Sequence, residues 1–370
     1  MRRYEIDSIR SIALILLIFY HIIISFVPET IAIGFIINKE KDDLVDLLLL
    51  LSPALNIWRM PILFLIAGMA LYFSSLRRNN KELFKERLVR IIMPLTFCSF
   101  FIVPAGYFIS GNYYNSDFKY WPFPAYLWFL NSIFYYSLFL LPLIYLNKKN
   151  TNLFKFFNNL LKNKYIMLMI FSIPMIIIAG IFNPKDYSNF VNFSSLPLIP
   201  LGELNIHGFF VGLFCFLIGF IFASSGDIFW DSVRKIKFIT LILAIIFFTQ
   251  RLLFFLIPYW EGDSTAYSLQ ISNILTAFES VCWMLSFSGF ASTYLNKKNN
   301  FLSYLTLAVF PIYIFHMPVQ FLISSFLYPT SIAPTLKFII VFLATILSCI
   351  VIYEITKRLK GIKILFGIKT

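Results

Sequence analysis

The chain has 370 residues, of which 59% are apolar and only 13% charged, with 45 phenylalanines and a mean hydropathy of +0.80. Soluble domains carry roughly a quarter charged residues, so a water-soluble fold is excluded, and the apolar runs follow one another too closely to leave a separate soluble domain. A formal charge of +13 would suit nucleic acid, but the basic residues sit in short segments between apolar runs, where orienting helices in a membrane accounts for them, so no nucleic-acid partner is assigned.

The apolar runs predict helices over 9–27, 47–76, 89–109, 126–146, 165–182, 206–224, 237–257, 268–290, 303–327 and 335–356. Each is long enough to cross a hydrocarbon core of about 30 Å at about 1.5 Å per residue. The fold class is therefore an all-α polytopic transmembrane bundle of about ten spans. It forms a single domain over 1–370, with a core from about 4 to 357 and a basic tail over 358–370. With the amino terminus in the cytoplasm, 23 of the 31 basic residues fall on the cytoplasmic side and only 5 outside. That asymmetry sets both termini in the cytoplasm.

The first run follows Arg2 and Arg3 as a signal peptide would, but Pro28, Glu29 and Thr30 follow it in place of a small-residue cleavage pattern, so it reads as a retained helix. Within it, Arg10 and His21 lie eleven residues apart, within about 20° of one another around the helix, and Asp7 can pair with Arg10. An ionisable group inside a membrane is expensive, which makes each one a candidate for function. Two roles are open to His21: a neutral imidazole bonded to a neighbouring helix, or a general base that takes the proton of an attacking hydroxyl. Arg10 either snorkels to the interface or guides a substrate.

In the second run, Pro53 and Pro61 flank Asn56, Trp58 and Arg59. This predicts a broken helix whose first half is a short re-entrant piece, with the true span beginning near Met60. Six basic residues from Arg77 to Arg90 precede the third span. Most such clusters only hold a loop inside, yet Arg87 and Arg90, spaced by three, are expected to share a face at a helix N-terminus, where guanidinium forks and free N–H groups favour phosphate. A nucleotide-bearing donor such as coenzyme A fits there.

Further along, Glu279 is expected either to pair with Arg251 or to act in catalysis. His316, between Pro311 and Pro318, makes either a helix-packing hydrogen bond or a direct contribution. Cys98, Cys215, Cys282 and Cys349 have neither metal nor redox spacing, and no metal site is expected.

Together these segments resemble the acyltransferase-3 family of integral-membrane acyltransferases from Tyr4 to about Lys357. The opening Tyr4-Glu-Ile-Asp-Ser-Ile-Arg-Ser-Ile-Ala is similar to the family's start. Arg10 with His21 matches its Arg-x10-His motif, and Arg87 with Arg90 ahead of Pro94 matches its Arg-x-x-Arg motif. Leu127-Trp-Phe-Leu and Tyr313-Ile-Phe-His are similar to further landmarks. Trp58-Arg-Met-Pro-Ile-Leu-Phe-Leu-Ile-Ala-Gly is similar to the branch that includes proteins succinylating periplasmic glucans.

The resemblance implies a catalytic His21, acyl-CoA engagement by Arg87 and Arg90 with Arg10 guiding the donor, and substrate-binding or supporting roles for Arg59, Trp128, Glu279 and His316. It implies an O-acyltransferase of the bacterial inner (plasma) membrane that moves an acetyl or succinyl group from cytoplasmic acyl-CoA to a hydroxyl of a periplasmic or cell-surface glycan. The partners are acyl-CoA, the glycan and membrane lipid, with no permanently bound cofactor. Donor and acceptor are then expected from opposite faces, the acceptor by way of the outer segments 28–46 and 183–203. The rival reading is a secondary transporter with His21, Glu279 and His316 as a proton relay, against which stands the lack of an internal repeat.

Overall fold

A computed structural model describes residues 3–149, 155–184 and 206–368, and these are helical with no strand among them. Among the described residues, nine helical runs are long and apolar enough to cross a membrane. They are α1 (Tyr4–Ile24), α2 (Asp43–Ser75), the run Asn80–Tyr113, α8 (Lys164–Phe182), α9 (Ile206–Ser224), the run Asp227–Glu261, α12 (Leu269–Tyr294), α13 (Asn300–Leu327) and α14 (Pro334–Thr356). A tenth results if α5 (Trp128–Phe139, with the short turn Ala125–Leu127 before it) and α6 (Leu141–Lys149), bent by 41°, count as one span. A short helix α7 (Lys155–Leu161) precedes α8. Helices α8, α10 (Asp227–Arg251) and α14 turn most of their surface outwards, while α9 and α12 are the most enclosed.

Named bonds define two ends. At the basic end Arg3 pairs with Asp227, Ser8 Oγ donates to the Leu295 carbonyl at 3.3 Å, and Arg234 donates to Ser292 at 2.9 Å. At the opposite end Asp42 caps α2 by accepting from the Val45 amide at 3.1 Å, and also takes the amide and hydroxyl of Thr335, each at 2.7 Å. Slight desolvation acts against them, but these bonds hold the Asp42 carboxyl below its ordinary pKa. Lys337, 1% exposed, donates to Asn38, Glu40 and the Tyr328 carbonyl beside it. The segment after α14 folds back as well: a 3₁₀ turn at Ile362–Phe366 sets Phe366 against Phe97 and Phe315.

The break expected in α2 is absent: one helix of 33 residues carries both Pro53 and Pro61. Proline removes the N–H that would bond the carbonyl four residues earlier, and in hydrocarbon that carbonyl needs another donor. Ser52 Oγ supplies it to Leu49 at 2.9 Å and Ser280 Oγ to Ile57 at 2.8 Å. The same substitution recurs elsewhere. Opposite Pro104, the Tyr120 hydroxyl donates to the Phe100 carbonyl at 2.9 Å, and opposite Pro318, the Tyr126 hydroxyl donates to the Ile314 carbonyl at 2.7 Å. A different device serves Pro94 and Pro258. Each follows a five-residue π-turn, Leu88–Ile92 between α3 (Asn80–Arg87) and α4 (Met93–Tyr113), and Leu252–Leu256 between α10 and α11 (Ile257–Glu261). The wider turn makes room for the proline ring.

Helices α2 and α9 touch backbone to backbone, as transmembrane helices with small residues at their contact do. A Cβ on Gly219 would lie 2.0 Å from the Leu65 carbonyl oxygen, and one on Gly68 would lie 1.9 Å from that of Phe216. Gly219→Val is therefore expected to push the pair apart and destabilise the bundle by about 1–3 kcal/mol or more. Gly180→Ala, whose added methyl would meet only the Ile274 side chain at 3.7 Å, is the control expected to be neutral. Thermal unfolding in detergent measures both, and equal midpoints for the two variants would contradict this account of the contact.

Candidate active site

Helices α1 and α13 bring His21 and His316 together, although 295 residues separate them in the chain. His21 Nδ1 stands 3.0 Å from His316 Nε2, with the ring centroids 5.2 Å apart. His316 is fully buried, and its Nδ1 lies 2.7 Å from the carbonyl oxygen of Tyr313, one turn earlier. A carbonyl can only accept, so in the neutral pair the His316 proton is on Nδ1 and its Nε2 accepts. His21 must then carry its own proton on Nδ1, which assigns both tautomers from the hydrogen-bond network. The remaining nitrogen, Nε2 of half-buried His21, keeps its lone pair and has no partner among the described residues. Gln320 donates to the His21 carbonyl at 3.1 Å, and the Tyr313 hydroxyl donates to the Tyr126 carbonyl, which fixes the local geometry of both helices.

Arg59 lies within electrostatic reach of both imidazoles. It is 3% exposed, its guanidinium sits 4.2 Å over the Tyr20 ring, and its polar contacts are long: 3.4 Å to the Leu16 carbonyl and 3.5 Å to Asn56 Oδ1. Among the described residues no carboxylate pairs with it, and its Nε is buried without a partner. A buried cation in that state is a ready partner for an anion.

From Pro28 to Asp42 the chain returns over the end of α1. After a 3₁₀ turn (Pro28–Ile33), Phe35, Ile36, Ile37 and Asn38 are buried. The Tyr114 hydroxyl donates to the Phe35 carbonyl at 3.2 Å and accepts from the Ile37 amide at 2.8 Å. Phe35 thereby lies edge-on to His21, with centroids 5.9 Å apart, and against Phe321 at 5.6 Å. The segment expected on the outer side is thus packed over the end of α1, against His21. Of the other outer segment, 185–203 falls outside the described residues.

At the basic end the three predicted arginines converge. Arg10 is within electrostatic reach of Asp7 and Arg90, and Arg87 of Arg10, Arg90, Arg78 and Glu86. Glu86 accepts from Arg90 and Ser74, at 3.0 Å and 2.9 Å, and lies 3.6 Å from Arg78. No described residue accepts a hydrogen bond from the guanidinium of Arg10 or Arg87. The helix N-terminus expected beneath Arg87 and Arg90 is not there. The run is continuous from Asn80 and its capping box of Asn79 and Glu82 lies a turn and more upstream, so the backbone N–H groups are engaged. Arg87 instead immediately precedes the π-turn and lies within reach of Arg10, while Arg90 is inside the turn and exposed.

Two expected participants lie elsewhere. Glu279 takes two bonds from Arg251, at 2.7 Å and 3.1 Å, and one from Trp283 at 3.2 Å, so it shares no partner with the histidines. Trp128 packs its ring on Phe64 and Phe129 within the described residues. Sequence reasoning missed Tyr313, Gln320, Phe35 and Lys337. Tyr313, His316 and Gln320 do follow the i, i+3, i+7 spacing of one helical face, a signal that could have found two of them.

The family described as "Acyltransferase domain" matches residues 3–354. The protein named "Glucans biosynthesis protein C" of Escherichia coli O1:K1, and that of Shigella dysenteriae serotype 1, are each 24% identical to the chain over 391 residues, covering 99% of this chain and 94% of theirs. No solved structure matches.

The Arg251–Glu279 pair, 4% and 0% exposed, gives a test of how this interior is held. Arg251→Met alone leaves an unpaired carboxylate and is expected to cost about 3–5 kcal/mol. Adding Glu279→Met is expected to restore most of that stability. A double-mutant cycle on thermal unfolding measures the coupling, and additive effects would show that the pair contributes nothing as a unit.

Proposed function

The chain belongs to the acyltransferase-3 family, and from that premise we propose that it transfers an acyl group from acyl-coenzyme A, bound at the basic end, to a hydroxyl of a periplasmic or cell-surface glycan arriving from the opposite end. The observation that carries this reading is the histidine pair. His21 Nε2 is a free base whose partner nitrogen is already engaged, the relation in which a hydroxyl nucleophile is activated and the resulting imidazolium is stabilised from behind. His316 takes the place that a carboxylate occupies in a Ser-His-Asp triad, and the Tyr313 carbonyl orients it.

In the proposed step the acceptor hydroxyl gives its proton to His21 Nε2 as its oxygen bonds to the thioester carbonyl carbon. The C–S bond then breaks, and the coenzyme A sulfur takes the proton back from His21. The basic asymmetry of the sequence supports a cytoplasmic position for Arg10, Arg87 and Arg90, where phosphates of the donor find two guanidinium groups without hydrogen-bonded partners. Unpaired Arg59 beside the histidines favours an acyl group with a carboxylate of its own, succinyl over acetyl. The glycan acceptor rests on the name of the relatives, which places them in glucan biosynthesis. A proton relay through Glu279 loses support, because Glu279 is bonded to Arg251 and Trp283.

With purified protein in proteoliposomes, acyl-CoA outside one face and gluco-oligosaccharide at the other, His21→Ala is expected to remove transfer by a factor of about 10² or more while leaving coenzyme A binding intact. His316→Gln, which can accept from His21 Nδ1–H but shares no imidazolium charge, is expected to lower kcat with little change in either KM. Full activity in His21→Ala would end the general-base reading.

The arginines separate two parts of the donor. Arg87→Gln with Arg90→Gln is expected to raise donor KM whichever acyl group is carried. Arg59→Met is expected to raise it for succinyl-CoA and spare acetyl-CoA. Equal losses with both donors would mean that Arg59 does not bind the acyl terminus.

A further inference from the structure

Beyond the cover formed by residues 28–42, the end opposite the basic cluster holds a pocket of about 430 Å³, inside the ~300–1,000 Å³ range of small-ligand sites. Its floor is the last turns of α4, with Tyr107 and Tyr114. Its outer rim comes from the segment after α4, where Asp117, Lys119 and Trp121 line it. Trp121 is 60% exposed and its indole has no hydrogen-bond partner among the described residues. The tyrosine hydroxyls are committed to the cover itself, that of Tyr107 to the Ile33 carbonyl at 3.1 Å and that of Tyr114 to the Phe35 carbonyl. What they present to the pocket is ring surface.

We propose that this pocket is an acceptor subsite that holds a neutral hexose unit of the glycan, next to the unit that is acylated. The inference rests on the acyltransferase reading above and names the place where its acceptor binds. Aromatic faces suit the apolar C–H face of a pyranose ring, and a few polar groups at the rim suit its equatorial hydroxyls. One acid and one base at the rim leave no net charge to select an ionic ligand. The position fits as well. Ile31 and Gly34 of the cover form the pocket's inner wall, and the same segment sets Phe35 against His21. Tyr107 touches Phe321 at 6.4 Å between centroids, Phe321 touches Phe35, and Phe35 touches His21. Two aromatic rings, Phe321 and Phe35, thus lie in succession between Tyr107 of the pocket wall and His21. Gly34 is required at this wall: its φ is +89°, and a Cβ would lie 2.3 Å from the Tyr107 ring.

The test uses the full-length protein in lipid nanodiscs with linear gluco-oligosaccharides as the probe, read by direct titration and by steady-state transfer. Trp121→Ala is expected to weaken oligosaccharide binding and raise acceptor KM about tenfold, with donor KM unchanged, whereas Trp121→Phe keeps most of the affinity. Gly111→Leu supplies an independent arm. Its Cβ meets Ser116 Oγ at 3.4 Å and Phe118 Cβ at 3.7 Å, ordinary contacts, so the side chain fills the pocket without displacing backbone and is expected to act in the same direction. If wild-type protein binds and acylates the oligosaccharide and both Trp121→Ala and Gly111→Leu do so equally well, the subsite is wrong, Trp121 is an interfacial anchor, and the acyltransferase reading survives. If wild-type protein that binds coenzyme A neither binds nor acylates any gluco-oligosaccharide, the glycan reading fails and the subsite fails with it.

Discussion

In hydrocarbon a backbone carbonyl deprived of its helical donor has no water to turn to, and the arrangement of this bundle follows from how it meets that constraint. The carbonyls of Leu49, Ile57, Phe100 and Ile314, each freed by a proline, all accept from a serine or tyrosine hydroxyl. Three of the four donors come from outside the helix they complete. Ser280 ties α12 to α2, Tyr120 folds the segment after α4 back on that helix, and Tyr126 ties the turn before α5 to α13 two residues from His316. The prolines therefore act as sockets where another element plugs in, and they place polar anchors beside both the histidine pair and the pocket at the far end.

The histidine pair shows the same economy of donors and acceptors. Every nitrogen except one is engaged, and the chain of assignments begins at a backbone carbonyl whose role is fixed by chemistry. The Tyr313 carbonyl can only accept, so the last nitrogen in the series can only be a base. Lysine or arginine near such a pair would ordinarily be matched by a carboxylate. Arg59 is instead met by the face of Tyr20 and two long contacts, which leaves its charge available.

Much of this was legible in the sequence. Hydropathy set the helices at 165–182 and 206–224 within a residue of their observed limits, because a run of apolar side chains long enough to span has few other solutions. The expense of burying ionisable groups singled out His21 and His316 before their contacts were known, while Arg59 came from the family resemblance. The failures share a cause. The break assigned to α2 followed from a local rule that cannot see Ser280, 223 residues away from Ile57. The helix start assigned to Arg87 and Arg90 missed a helix that continues through Pro94 by widening. Lys337 was counted only among the basic residues outside, whereas its partners Asn38 and Glu40 come from the other end of the chain. Pairing across several hundred residues depends on how helices rotate and cross, and periodicity does not carry that information.

Because its two imidazoles are contributed by α1 and α13, the base exists only after nearly the whole chain has been made. A ribosome-bound fragment with its early helices already in the bilayer holds His21 without the acceptor that fixes its tautomer, and the clasp of Lys337 on the cover segment arrives later still. During biogenesis the order of insertion thus acts as a timer: the histidine pair forms only when α13 is in place, and a product terminated before it would hold His21 without its partner.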